Sequence, residues 1–163
     1  DEFNTLRIQS TKYENKSIVL KEGETIFFPL NMISGNTLDI EATWKTGGDC
    51  AIWVLSDGST TSDNKVRIGV NFNNVPSDDD FYIDGGGSTG VLQAPIAGWD
   101  GKSEVTLRIL IDHSLINVFY NGGITVGSWR YYPSYTNFRV GVSMWDHGNG
   151  GNCILDSFVA YNV

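Results

Sequence analysis

Nowhere in this chain do apolar residues recur at i, i+3, i+4 and i+7 over a dozen positions. They alternate with period two or give way to turn clusters. That property removes amphipathic helices as the main building material and leaves strands, whose side chains point alternately to the two faces of a sheet. The stretch Ile111 to Pro133, "IDHSLINVFYNGGITVGSWRYYP", shows the pattern twice around the breaker Asn-Gly-Gly. Strands are expected at Ser17–Leu20, Thr25–Leu30, Leu38–Lys45, Ala51–Ser56, Val66–Phe72, Phe81–Asp84, Ser103–Asp112, Leu115–Tyr120, Thr125–Tyr132, Arg139–Trp145 and Ile154–Asn162. Between them lie clusters such as "KEGE", "ISGN", "SDGSTTSDN", "GGGSTG" and "DHGNGGN". Their Gly, Asn, Asp and Ser residues supply positive φ or bond locally to the backbone in turns.

Many strands joined by such turns predict an all-β protein, a two-sheet antiparallel β-sandwich. No internal repeat or dividing linker interrupts it, so residues 1–163 are expected to form one module. A globule of this length buries roughly 70% of the surface its unfolded chain exposes and needs no metal or disulfide to fold.

Alternation assigns faces. Val66, Ile68, Val70 and Phe72 oppose Arg67, Gly69 and Asn71; Val140, Val142 and Met144 oppose Arg139, Gly141, Ser143 and Trp145. Leu38, Ile40, Ala42 and Trp44 are expected inside. Gly69, Gly127, Gly141 and Ser143 are expected on the face opposite the apolar one. A strand glycine often marks close approach of a ligand or another backbone. That face reads either as a sugar-binding surface or as a plain solvated face with glycines that serve sheet twist.

The chain carries 11 Lys and Arg against 19 Asp and Glu, a net charge of −8. Its field repels phosphate backbones and anionic membrane surfaces, so neither nucleic acid nor membrane is an expected partner; a neutral sugar is indifferent to it. No run approaches the ~20 apolar residues of a membrane helix. The opening "DEFNTLRIQS" lacks a signal-peptide core and reads as the start of an excised or processed module. Cys50 and Cys153 lie far apart. Paired, they would close a loop worth up to ~4.7 kcal/mol; unpaired, they are two small buried hydrophobes. The wealth of Asn, Gly, Thr and aromatic residues favours a secreted or extracellular protein.

Catalytic material is thin. His113 and His147 sit in no H-E-x-x-H spacing, and "GGGSTG" lacks the lysine and strand-to-helix setting of a phosphate loop. The acidic stretches "SDDDF" and "WDHGNGGN" depart from the spaced calcium loop and read as solvated turns. No cofactor or metal is expected. Sugar recognition fits better: flat rings cover apolar C–H faces while carboxylates, carboxamides and guanidinium groups clasp neighbouring hydroxyls. Trp129, Tyr131 and Trp145 are candidate platforms; Arg67, Asp84, Asp112, Asn117 and Arg130 are candidate clasps. Each has a plainer reading. Trp44 and Trp53 fill core or rim, Asp112 caps a turn, and Arg130 points inward to pair with Asp84 or Asp112.

"LRILIDHSLINVFYNGGITVGSWRYYP" resembles the signature of the C-terminal β-sandwich of glycoside hydrolase family 32, the family of invertases, levanases and inulinases. "RIGV" at Arg67–Val70, "FYID" at Phe81–Asp84 and "LQAPI" at Leu92–Ile96 precede it in the expected order, and "LDSFVAYNV" resembles the closing strand. The similarity covers about Val66 to Val163 and includes none of the motifs of that family's catalytic propeller. What remains resembles the related family 66 carbohydrate-binding modules, which bind the terminal fructose of fructans such as levan. The resemblance implies a concanavalin-like jelly roll and carries Asp84, Asp112, Asn117 and Arg130 over as pocket residues. Two positions depart from the pattern: Asn117 stands where the family has Glu, and Gly85 where it has Arg.

The expected function is therefore a non-catalytic carbohydrate-binding module for fructosyl units of fructans of levan or inulin type. It would be a monomeric part of a larger polysaccharide-degrading enzyme. The alternatives are a structural domain supporting a neighbouring glycosidase, and a small lectin-fold glycosidase or lyase.

Overall fold

The structure, a computed structural model, describes residues 2–45, 49–71, 80–86, 90–96, 104–133, 138–145 and 152–163, with backbone alone for Phe3, Asn71, Asp80 and Trp145. The described residues form twelve strands: β1 Tyr13–Leu20, β2 Thr25–Phe27, β3 Thr37–Lys45, β4 Asp49–Ser56, β5 Val66–Asn71, β6 Asp80–Asp84, β7 Val91–Pro95, β8 Val105–Asp112, β9 Leu115–Tyr120, β10 Thr125–Arg130, β11 Arg139–Trp145 and β12 Cys153–Asn162. Among the described residues, helix is confined to short 3-10 turns such as Glu2–Leu6.

Two six-stranded antiparallel sheets pack into a β-sandwich. The first has the order β1-β12-β3-β8-β9-β10 and the second β2-β11-β4-β5-β6-β7. Alternation explains the core. Leu38, Ile40, Ala42 and Trp44 of β3 and Leu107, Ile109 and Ile111 of β8 are buried against Ile52, Val54, Val66, Ile68 and Val70 of the opposite sheet. The rings of Tyr13, Phe28 and Phe158 close one part of it, with Phe28 and Phe158 centroids 4.6 Å apart.

A disulfide and a hydrogen bond tie the sheets beyond packing. Cys50 of β4 and Cys153 of β12 form a disulfide across the sandwich, with Cα atoms 5.6 Å apart. The buried Tyr120 hydroxyl of β9 donates to the Gly69 carbonyl of β5 at 2.8 Å.

Sequence and structure differ at the margins. Strand β7 is a strand beyond those expected; its residues alternate between exposed and half-buried, and it lies at a sheet edge, where Pro95 is tolerated. Strand β1 begins at Tyr13 rather than Ser17, and β10 ends at Arg130 rather than Tyr132. Gly127 is not on the outward face: it pairs with core residue Val118, and a Cβ there would press on Phe81 and Ile83, 3.0 and 3.1 Å away. On the outward face of the second sheet, rings fill the space above the glycines. A Cβ at Gly69 would come within 2.8 Å of the Tyr82 ring, and one at Gly141 within 2.8 Å of Phe27.

Candidate functional site

The outward face of the first sheet is ordered by register into cross-strand rows over β3, β8, β9 and β10. Thr37, Asp112, Leu115 and Arg130 form one row; Asp39, Leu110, Asn117 and Ser128 the next; Glu41, Arg108, Phe119 and Val126 the third; Thr43 and Thr106 the fourth. A hollow of about 410 Å³ lies over the first two rows, lined by Thr37, Leu110, Asp112, Leu115 and Asn117, with Leu6 as a side wall. Its size falls in the range of roughly 300–1,000 Å³ usual for small-molecule sites. A second hollow of about 490 Å³ adjoins it, sharing Leu110 and lined by Glu41, Thr43, Thr106, Arg108, Phe119 and Gly122.

The polar groups of the first hollow are locally held. Ser128 Oγ donates to Asn117 Oδ1 at 2.8 Å, fixing which end of the carboxamide points away from Ser128. Asp112 ends β8 at the tight turn to β9, its Oδ1 2.6 Å from His113 Nδ1. His113 takes a positive φ of 56°, its N–H anchored on the Asn36 carbonyl at 2.6 Å. Ser114 accepts from the Tyr131 N–H at 2.8 Å. The Arg130 side chain is exposed, with Nη1 donating to Tyr132 Oη at 3.2 Å.

An ion cluster runs beside both hollows, Asp39 lining the first and Glu41 and Arg108 the second. Asp39, fully buried, accepts from Arg7 Nε at 2.6 Å and from Arg108 Nε and Nη2 at 3.0 and 2.7 Å. Arg7 also donates to Glu41 and lies 4.5 Å over the Tyr161 ring. Burial works against the Arg7 charge, yet its bonds to Asp39 and Glu41 outweigh this and hold the guanidinium above its ordinary value. Arg108 Nη2 reaches Asn4 at 3.1 Å, so the N-terminal segment is clasped onto this face.

The eight candidate residues do not converge. Asp112, Asn117 and Arg130 share the outward face of the first sheet. Arg67 and Asp84 are register partners on the outward face of the second, joined in an ion pair, with Asp84 Oδ1 also accepting from the Gly86 N–H at 2.8 Å. Trp129 pairs with core residue Ile116 and packs against the hydrophobic core, and Tyr131 is buried beside it in sequence. The strand position of Trp145 opposite Asp49 is described, but its side chain is not, and residues 78–79 and 146–151 lie outside the described residues.

The middle of the second sheet's outward face is covered by side chains, while Val91 and Gln93 of edge strand β7 are exposed. Trp53 is buried, donates Nε1 to Ser143 Oγ at 2.6 Å and meets Phe27 edge-on at 5.5 Å. Lys65 lies 4.6 Å over the Trp53 ring and donates to the Thr60 and Ser62 carbonyls. Burial, and then Arg67, push the Lys65 ammonium below its ordinary value. Sunk against Gly69, the phenol end of half-buried Tyr82 is pushed up by desolvation. Among the described residues no three His, Cys, Asp or Glu are placed to hold a metal ion.

Leu110, Phe119 and Arg108 were not among the candidates. Their outward positions are readable from alternation, but their neighbours follow only from strand order.

No curated protein matches the sequence as a relative. Solved structures share the fold: fructan 1-exohydrolase IIa from Cichorium intybus superposes with a TM-score of 0.75 at 17% identity over 100% of this chain and 37% of that one. Exo-inulinase from Aspergillus awamori gives 0.73 at 17% identity, over 100% and 31%. β-Fructofuranosidase from Schwanniomyces occidentalis, complexed with fructosyl-erythritol, gives 0.66 at 16% identity, over 93% and 33%. This chain thus spans about a third of the length of those it matches. The family model described as glycosyl hydrolases family 32 C terminal matches residues 2–162, and with nearly its whole length covered the chain belongs to that family.

Proposed function

We propose that this domain is a non-catalytic carbohydrate-binding module of a larger fructan-hydrolysing enzyme, and that it takes a terminal fructosyl unit into the hollow beside Asp112 and Asn117. The observation that carries the reading is the make-up of that hollow: an apolar floor of Leu110 and Leu115 with a carboxylate and an oriented carboxamide at its rim. A furanose offers the matching surface, C–H groups on one side and vicinal hydroxyls at the edge. The charges around it cancel, three carboxylates (Asp39, Glu41, Asp112) against three guanidinium groups (Arg7, Arg108, Arg130), which suits a neutral ligand in a chain of net charge −8. Solved structures with this fold include enzymes named for fructan, inulin and fructofuranoside hydrolysis.

On this reading Arg67 and Asp84 are a structural clamp, and Arg130 borders the site through its neighbour Leu115. The module raises local substrate concentration for its attached enzyme by linkage. The Cys50–Cys153 bridge supports a secreted or extracellular setting, where disulfides persist.

A second reading treats the same face as a seat for the catalytic domain. Exposed apolar side chains at Leu6, Val126 and Tyr132 favour it. Calorimetric titration of the 163-residue chain with levan, inulin and fructose separates the two. Heat that disappears in Asn117→Ala supports the sugar site; no heat with any of the three removes it and leaves the seat.

A further inference from the structure

The hollow beside Asp112 does not end in a wall. It meets the second hollow at Leu110, and together they follow β8 from Asp112 to Thr106. At about 3.4 Å per residue this is a track of roughly 20 Å, longer than one sugar ring needs. The far end is open: Gly122 adopts a φ of 70°, and a Cβ there would meet nothing within 4 Å among the described residues.

We infer that the second hollow is a subsite for the next sugar units of the same neutral chain, so the module grips an oligosaccharide along β8 rather than its terminal unit alone. This rests on the fructosyl reading above. The chemistry of the second hollow is that of the first with a larger apolar platform. The Phe119 ring, half-buried, provides a flat face, and Thr43 and Thr106 line it with hydroxyls. Glu41 and Arg108 stand at its edge with their charges largely matched by Arg7 and Asp39. Ring-on-ring contact with hydroxyls at the margin is how a polyol chain of no net charge is held.

The track is also built rather than loose. The cluster beside the track is fixed by four charge-assisted bonds, three from Arg7 and Arg108 to Asp39 and one from Arg7 to Glu41. Asn121 Oδ1 accepts from the Thr106 N–H at 3.0 Å, holding the β9–β10 turn beside the far end. A groove already shaped before binding spends little on ordering when a chain lies down in it.

The test is a titration series with fructose, a fructo-trisaccharide and a fructo-pentasaccharide on the wild-type chain, Phe119→Ala and Phe119→Leu. The leucine variant keeps apolar bulk and removes only the flat ring, which guards against a folding defect in the alanine variant. The expected result is an affinity at least tenfold higher for the pentasaccharide than for fructose in the wild type. Most of that gain should vanish in both variants while fructose affinity stays within twofold. Equal affinity for all three ligands, or an equal loss for fructose and pentasaccharide in Phe119→Leu, overturns the second subsite and leaves the terminal site standing. No binding of any ligand by the wild type overturns the fructosyl reading, and this inference with it.

Discussion

Tyr120 and Gly69 meet across the middle of the sandwich, the phenol of one sheet donating to a backbone carbonyl of the other at 2.8 Å. Tyr120 is fully buried, and desolvation holds its phenol well above the ordinary value of 10.0. The unfolded chain releases this proton near pH 10, whereas the folded chain keeps it to higher pH. The stabilisation is therefore complete below pH 10 and is lost as pH rises toward the folded value. Urea unfolding at pH 8 and pH 11 should show lower stability at the higher pH, with the phenolate absorbance of Tyr120 and Tyr82 appearing only on unfolding. Tyr120→Phe should cost about 1 kcal/mol at neutral pH and flatten the alkaline decline.

Gly69 is pressed from its other side as well. An added methyl would lie 2.4 Å from the Cys50 carbonyl and 2.8 Å from the Tyr82 ring. Gly69→Ala should destabilise by about 1–3 kcal/mol. Adding Tyr82→Ala should recover only part of that, because the backbone oxygen cannot withdraw; full recovery in chemical denaturation would place the strain in the ring alone.

Arg7 and Arg108 share two carboxylates, Asp39 and Glu41, of which Asp39 is fully buried and the closer to Arg108. Asp39→Ala leaves two sheltered guanidinium groups facing a void and should cost about 3–5 kcal/mol. The same change should free the N-terminal segment, read out as faster tryptic cleavage after Arg7.

Arg130 is exposed and donates to Tyr132, also exposed. Arg130→Ala should shift stability by no more than ~0.5 kcal/mol. Fructan affinity in the same variant should fall severalfold. An unchanged affinity by calorimetry would move the ligand away from this edge of the first sheet.

Asp84→Ala is the converse. It breaks a sheltered ion pair and the bond to the Gly86 N–H, so stability should fall by about 1–3 kcal/mol. Fructan affinity should hold, since the pair lies on the opposite sheet's outward face. If binding is lost while the fold survives, the sugar site belongs on that second sheet.

Much of the architecture was legible because strand alternation is local. Leu38, Ile40, Ala42 and Trp44 fall inside as their spacing implies, and the breaker after Tyr120 is the turn it announces. Gly127 defied reading because a glycine on an inward position looks the same as one on an outward position until its facing residues, Phe81 and Ile83, are known. The candidate site failed to gather for a similar reason. Arg67 and Asp84 sit in strands with the same outward pattern as Asn117 and Arg130, but sheet membership is set by strand order, which no single segment encodes. Phe119 and Leu110 were passed over because, in a strand, an outward apolar residue and an inward one differ only by a phase.

The disulfide joins the chain close to where β1 leaves its partner, since Leu20 lies opposite Cys153. Tension applied between the two ends would unzip β1 from β12 pair by pair, starting at Tyr13 and Ala160. It would then find the bridge carrying the load and everything between Cys50 and Cys153 slack. Of the strands under the groove, β8 to β10 lie inside that unstretchable loop and β3 lies outside it. A pull on the ends would leave the β8–β10 side of the groove folded while its β3 side came under load.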